Sequence, residues 1–130
     1  MKHLFLLVSV VCAFALQAQT QGVGSKMADQ VQWNETTHKF GNVTMGPDAV
    51  FTFKLKNKGK KPVLITSAEP GCSCTVSDFT RTPIGKNKSG FVTATYSTKN
   101  RPGGFIKSIN VVFEDGSMQV IKISGDVIVP

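Results

Sequence analysis

The chain has 130 residues, with 15 Lys and Arg against 8 Asp and Glu, a formal charge of +7 and 41% apolar residues. That length suits one domain around a single core and excludes two ordinary domains. The basic residues are scattered, as in Lys54, Lys56, Lys58, Lys60, Lys61, Lys86, Lys88, Lys99 and Arg101, and one Trp and one Tyr offer little for base stacking, which excludes a nucleic-acid interface.

Residues 1–18 read as a secretory signal peptide: Lys2, an apolar run from Leu4 to Leu16, then small and polar residues ending at Ala18. The run is about 13 residues, short of the roughly 20 that a membrane-spanning helix needs. Cys12 lies inside it and follows Val11, where a lipoprotein signal wants a small residue, so Cys12 is read as discarded with the signal. No later apolar run is long enough to span a bilayer. The expected product is exported, and periplasmic or associated with the cell envelope. Residues 19–30 are polar and lack apolar periodicity, which predicts a flexible leader before a domain over 31–130.

Within 31–130 apolar residues alternate with polar ones, and Gly, Pro, Asn and Asp interrupt them at short intervals. The domain opens on Val31, Trp33 and Phe40, and residues 41–48 read as a loop rich in turn formers. In the next stretch Phe51, Phe53 and Leu55 share one face while Thr52, Lys54 and Lys56 share the other, the pattern of a half-buried strand. Residues 57–61 turn the chain, and Pro62 opens a strand through Thr66 that ends at Pro70 and Gly71. A short strand is expected over 75–79, a loop over 83–90, a strand over 91–97, a turn over 100–104 and a long strand over 105–113. Asp115-Gly116 is a tight-hairpin signal, with an antiparallel return over 118–124 and a continuation to Val129. The expected fold class is all-β, an immunoglobulin-like sandwich of about seven strands.

The ordered set FGNV (40–43), FTFKLKNKGKKPVLI (51–65), CSCT (72–75), Pro83-Ile84, Gly90, Tyr96, RPGGFIKSINV (101–111) and ISGDV (123–127) resembles the bacterial family called domain of unknown function 1573. The resemblance covers nearly all of the expected domain and implies an exported immunoglobulin-like fold. Two positions depart from the family pattern. Ser73 stands where relatives have glycine between the cysteines, and Gly85-Lys86 stands where they have Pro-Gly. Serine disfavours the positive φ that glycine allows, so the resemblance does not extend a glycine-type turn to 72–74.

Cys72 and Cys74 allow four readings. A disulfide across one residue is favoured by export, although the closed loop is tiny and its entropic gain small. Free, part-buried thiols would act as small apolar residues. A soft metal such as Cu(I) suits two thiolates, whereas zinc would need ligands that His38, the one histidine after the signal, cannot complete. Exchange of disulfides with a partner would want a cation such as Lys60 or Lys61 close by. His38 alternates with Thr36 and Phe40 and reads as a surface strand residue, and there is no nucleophile motif. The functional expectation is therefore a non-catalytic module without a cofactor, binding an envelope protein or glycan. Its candidate loop is Pro70, Gly71, Cys72, Ser73, Cys74 and Thr75, flanked by 41–48 and 100–104. The alternative is a small thiol-redox or copper-binding protein that uses Cys72 and Cys74.

Overall fold

The structure, a computed structural model, describes residues 25–130. The expected signal peptide, residues 1–18, lies outside them. One helical turn, α1 (Met27–Gln30), precedes eight strands: β1 (Val31–Trp33), β2 (Thr37–Thr44), β3 (Ala49–Asn57), β4 (Ile65–Pro70), β5 (Thr75–Phe79), β6 (Ser89–Tyr96), β7 (Gly103–Phe113) and β8 (Met118–Ile128). They form two four-stranded sheets, β1-β3-β6-β5 and β2-β8-β7-β4. Among the described residues only the β2–β8 pairing is parallel. The fold is the expected all-β immunoglobulin-like sandwich, with eight strands in place of about seven.

The additional strand comes from the opening of the domain. Val31–Trp33 pairs with β3, and after Asn34, Glu35 and Thr36 the chain crosses to the other sheet, where β2 lies beside β8. β2 also takes half of the expected loop at 41–48. A register shift between Lys39 and Asn42 lets it continue, with Gly41 at φ +69° inside the shift. The strand expected from Pro62 starts later, at Ile65. Val63 instead makes an isolated bridge to Ile84, each amide donating to the other's carbonyl at 2.9 and 2.7 Å.

Alternation explains the core. Phe53 and Leu55 of β3, Val92 and Ala94 of β6, Ile109, Val111 and Phe113 of β7, and Ile121 and Ile123 of β8 are all buried. Their neighbours Thr52, Lys54, Asn110 and Lys122 face outward. The hairpin at Asp115-Gly116 closes as its residues predict, with Gly116 at φ +81° and its amide donating to the Phe113 carbonyl at 2.9 Å.

Residues 27–30 differ from the flexible leader expected there. They form α1, with Ala28 buried. The Met27 amide donates to Asp115 Oδ2 at 2.7 Å and the Ala28 amide to Ser117 Oγ at 3.0 Å. Gln119 bridges the segment to β1, donating to the Ala28 carbonyl and accepting from Trp33 Nε1. These partners lie almost ninety positions away along the chain, so no local pattern announces them.

The Ser117 side chain and then the Met27 amide donate to Asp115, which holds its carboxyl below the ordinary 3.8. A carboxyl lowered by folding stabilises the native state above its unfolded pKa and loses that contribution as pH falls through the folded value. Urea midpoints measured from pH 5 downward should therefore drop more steeply below 3.8 for the wild type than for Asp115→Asn. Parallel curves would show that the anchor contributes nothing.

Candidate functional site

The β3–β6 ladder defines the two ends of the sandwich. It runs from Ala49↔Tyr96 to Lys56↔Ser89. Near Tyr96 lie the loop between β2 and β3, the turn between β4 and β5, and the loop between β6 and β7. These contain the three segments that the sequence singles out, and the fold brings them together at one end. Near Ser89 lie the turn after β3 and the segment at 84–88, joined by bonds from the Asn57 amide to the Lys88 carbonyl and from the Asn87 amide to the Asn57 carbonyl.

Backbone groups and one buried hydroxyl fix the loop end. Thr98 is fully buried. Its Oγ1 accepts from the Gly46 amide at 2.9 Å and donates to the Pro47 carbonyl at 2.8 Å, tying the β2–β3 loop to the β6–β7 loop. The Ser97 amide donates to the Cys74 carbonyl at 3.0 Å, which ties in the third segment. Beneath them the rings of Tyr96 and Phe105 stack at 3.8 Å, both buried.

The chain crosses from one sheet to the other through the cysteine turn. Pro70 ends β4 opposite Ile109, and the Gly71 amide donates to the Ser108 carbonyl at 3.2 Å. The Thr75 amide closes the turn on the Cys72 carbonyl at 3.3 Å, and Thr75 starts β5 opposite Tyr96. Cys72 and Cys74 are joined as a disulfide, S–S 1.99 Å, with Cα atoms 5.3 Å apart. Gly71 and Ser73 are exposed, Pro70 and Cys72 half-buried, Cys74 and Thr75 buried. Ser73 needs no glycine-like backbone here: among the described non-glycine residues only Asn87 and Asn100 take a positive φ. Thr75 Oγ1 lies 3.6 Å from Cys72 Sγ and 3.9 Å from Cys74 Sγ.

Other expectations are not met at this place. Lys60 and Lys61 lie in the turn after β3, at the opposite end of the sandwich, so they give the cysteines no cation. His38 is a contact between the sheets more than a surface residue. Its ring stacks on Phe51 of β3 at 3.6 Å, meets the edge of Phe40 at 4.7 Å, and holds Nδ1 2.9 Å from Glu35 Oε1. Among the described residues no group of three or more His, Cys, Asp or Glu is placed to hold a metal ion. Among them, too, no helix is long and apolar enough to cross a membrane.

Sequence reading missed a groove beside the loop end. It is about 700 Å³, on the outer face of β2, β8 and β7, and is lined by residues that include Lys39, Gly41, Ile106, Ser124 and Asp126. Ile106 stands 74% exposed there. Gly125 pairs with Phe105 at the floor of the groove, where a Cβ would come within 2.9 Å of the buried Phe105 ring and 3.1 Å of the Gly41 carbonyl. The signal for it, an isoleucine on the polar face of an alternating strand, is weak on its own.

No curated protein matches the chain in sequence. Solved structures do match in fold. A protein of unknown function from Porphyromonas gingivalis W83 superposes with a TM-score of 0.66 at 14% identity, over 75% of this chain and 46% of that one. The chain thus spans about half the length of that relative. The seventh PapD-like domain of human CEP192 gives 0.64 at 13% identity, over 85% and 93%. The VesB protease of Vibrio cholerae gives 0.58 at 12% identity, over 78% of this chain and 33% of the protease. Identities this low establish a shared sandwich and nothing of activity. At the level of sequence, a model of the family described as protein of unknown function (DUF1573) matches residues 31–127, and the chain belongs to that family.

Proposed function

We infer that this chain is an exported, non-catalytic binding module that contacts a protein of the bacterial cell envelope through its loop end. The observation that carries the reading is the convergence of residues 45–48, 71–74 and 97–102 at one end, joined by Thr98 and by the Cys74 carbonyl. Loops held in advance lose little freedom on binding, which is how a sandwich presents a recognition surface. The adjoining groove adds an exposed apolar anchor, Ile106, within a polar surround of Lys39, Ser124 and Asp126. A glycan is the weaker partner. Sugars stack on open aromatic faces, and the aromatic rings at this end, Tyr96 and Phe105, are stacked on each other inside.

The test compares the partners captured from the envelope by the tagged wild type and by three variants. Ile106→Asp and Ser73→Arg should each weaken capture of one shared partner by about tenfold, as expected for a central anchor. Lys60→Glu, at the other end, should not. Loss on Lys60→Glu with retention on the other two would overturn the assignment.

A further inference from the structure

We propose that the Cys72–Cys74 disulfide is a thiol–disulfide exchange site for a protein dithiol, entered at Cys72. The inference does not rest on the binding role of the loop end. A bridge that encloses one residue removes almost no freedom from the unfolded chain, so it is a poor staple. The turn is also held without it: the Gly71 amide is bonded to the Ser108 carbonyl, the Thr75 amide to the Cys72 carbonyl and the Ser97 amide to the Cys74 carbonyl. Opening the bond therefore leaves the framework intact, as a reversible reaction on a folded protein requires.

The surroundings of the two sulfurs set a direction. Cys72 is half-buried between exposed Gly71 and Ser73, whereas Cys74 is buried at 7% exposure. An incoming thiolate reaches Cys72. Thr75 has its hydroxyl within weak hydrogen-bonding reach of both sulfurs and is itself only 2% exposed. It is the side-chain donor placed to meet a negative sulfur in the turn.

The partner's thiolate attacks Cys72 Sγ, a mixed disulfide forms, the Cys72–Cys74 bond breaks, and Cys74 Sγ leaves with the electron pair. The Thr75 O–H turns toward that sulfur. The partner's second thiolate then attacks its own sulfur of the mixed disulfide, and Cys72 leaves as thiolate. Two electrons pass to this chain. It becomes a dithiol after taking up protons, and the partner becomes a disulfide. Exchange runs in either direction with the relative potentials of the two pairs. Thr75 is a positioning residue, since it forms no bond with the partner.

The experiment treats the folded, oxidised chain with dithiothreitol in the absence of denaturant, quenches it with acid, alkylates, and reads intact mass. Opening should rise in proportion to dithiothreitol, and the reduced chain should retain a cooperative urea transition. Of the single-cysteine variants, Cys74→Ser, which keeps Cys72, should form a mixed disulfide with oxidised glutathione about tenfold faster than Cys72→Ser. Thr75→Val keeps shape but removes the hydroxyl. It should slow opening and move the pH profile of alkylation of the reduced chain upward, an effect that packing alone does not produce. Opening that is independent of dithiothreitol and keeps pace with global unfolding would overturn the proposal, as would equal reactivity of the two single-cysteine variants. If those variants do not fold, the dithiothreitol dependence of the wild type decides.

Discussion

Replacing Asn57 with Ala is expected to lower the unfolding free energy by about 3 kcal/mol, read as a shift of the urea midpoint at constant slope. Asn57 has no exposed surface. Its Nδ2 donates to the Lys61 carbonyl at 2.7 Å and to the Ile84 carbonyl at 2.9 Å, while its Oδ1 accepts from the Gly59 amide at 2.9 Å. The side chain thus joins the turn after β3 to the segment before β6. Ile84 keeps a second donor, the Val63 amide, so its carbonyl is not orphaned by the change. The Lys61 carbonyl and the Gly59 amide lose this partner, and a small cavity is added. Asn57→Asp separates the causes. It preserves volume but has no donor when ionised, so at neutral pH it should cost at least as much as Ala. A cost well below that of Ala would mean that cavity, not hydrogen bonding, governs the site.

Thr98→Val should cost about 2 kcal/mol and act at the other end of the sandwich. Valine fits the same buried volume but leaves the Gly46 amide and the Pro47 carbonyl without the hydroxyl that now serves both. Because those groups belong to one loop and Thr98 to another, the change should also free the two loops from each other. Hydrogen exchange at the Gly46 amide should accelerate by more than the global loss of stability explains, while amides of the β7–β8 hairpin follow the global loss alone. Uniform acceleration would mean that the loop end opens only with the whole domain. The two substitutions are on opposite ends and share no partner, so their effects should add.

What could be read without the structure is local. The alternation through Phe51, Phe53 and Leu55 marks which face of β3 is buried, because successive strand residues point to opposite sides. Asp115-Gly116 marks the β7–β8 hairpin, because the turn needs a residue at a positive φ, a place that Gly116 takes. The cysteines could be named, and four chemistries weighed, but not resolved.

What the tertiary structure decided depends on groups distant in sequence. Neither the split between β1 and β2 nor the parallel pairing of β2 with β8 is written in either segment, since each strand reads alike in whichever sheet it lies. The packing of Ala28 needed Asp115, Ser117 and Gln119 from the far side of the chain. Lys60 and Lys61, eleven or more residues from Cys72 and plausible as its neighbours, were carried to the other end by the direction of β4. Strand character follows from side-chain period alone, but pairing follows from which distant surfaces can be buried together, and only the folded chain makes that choice.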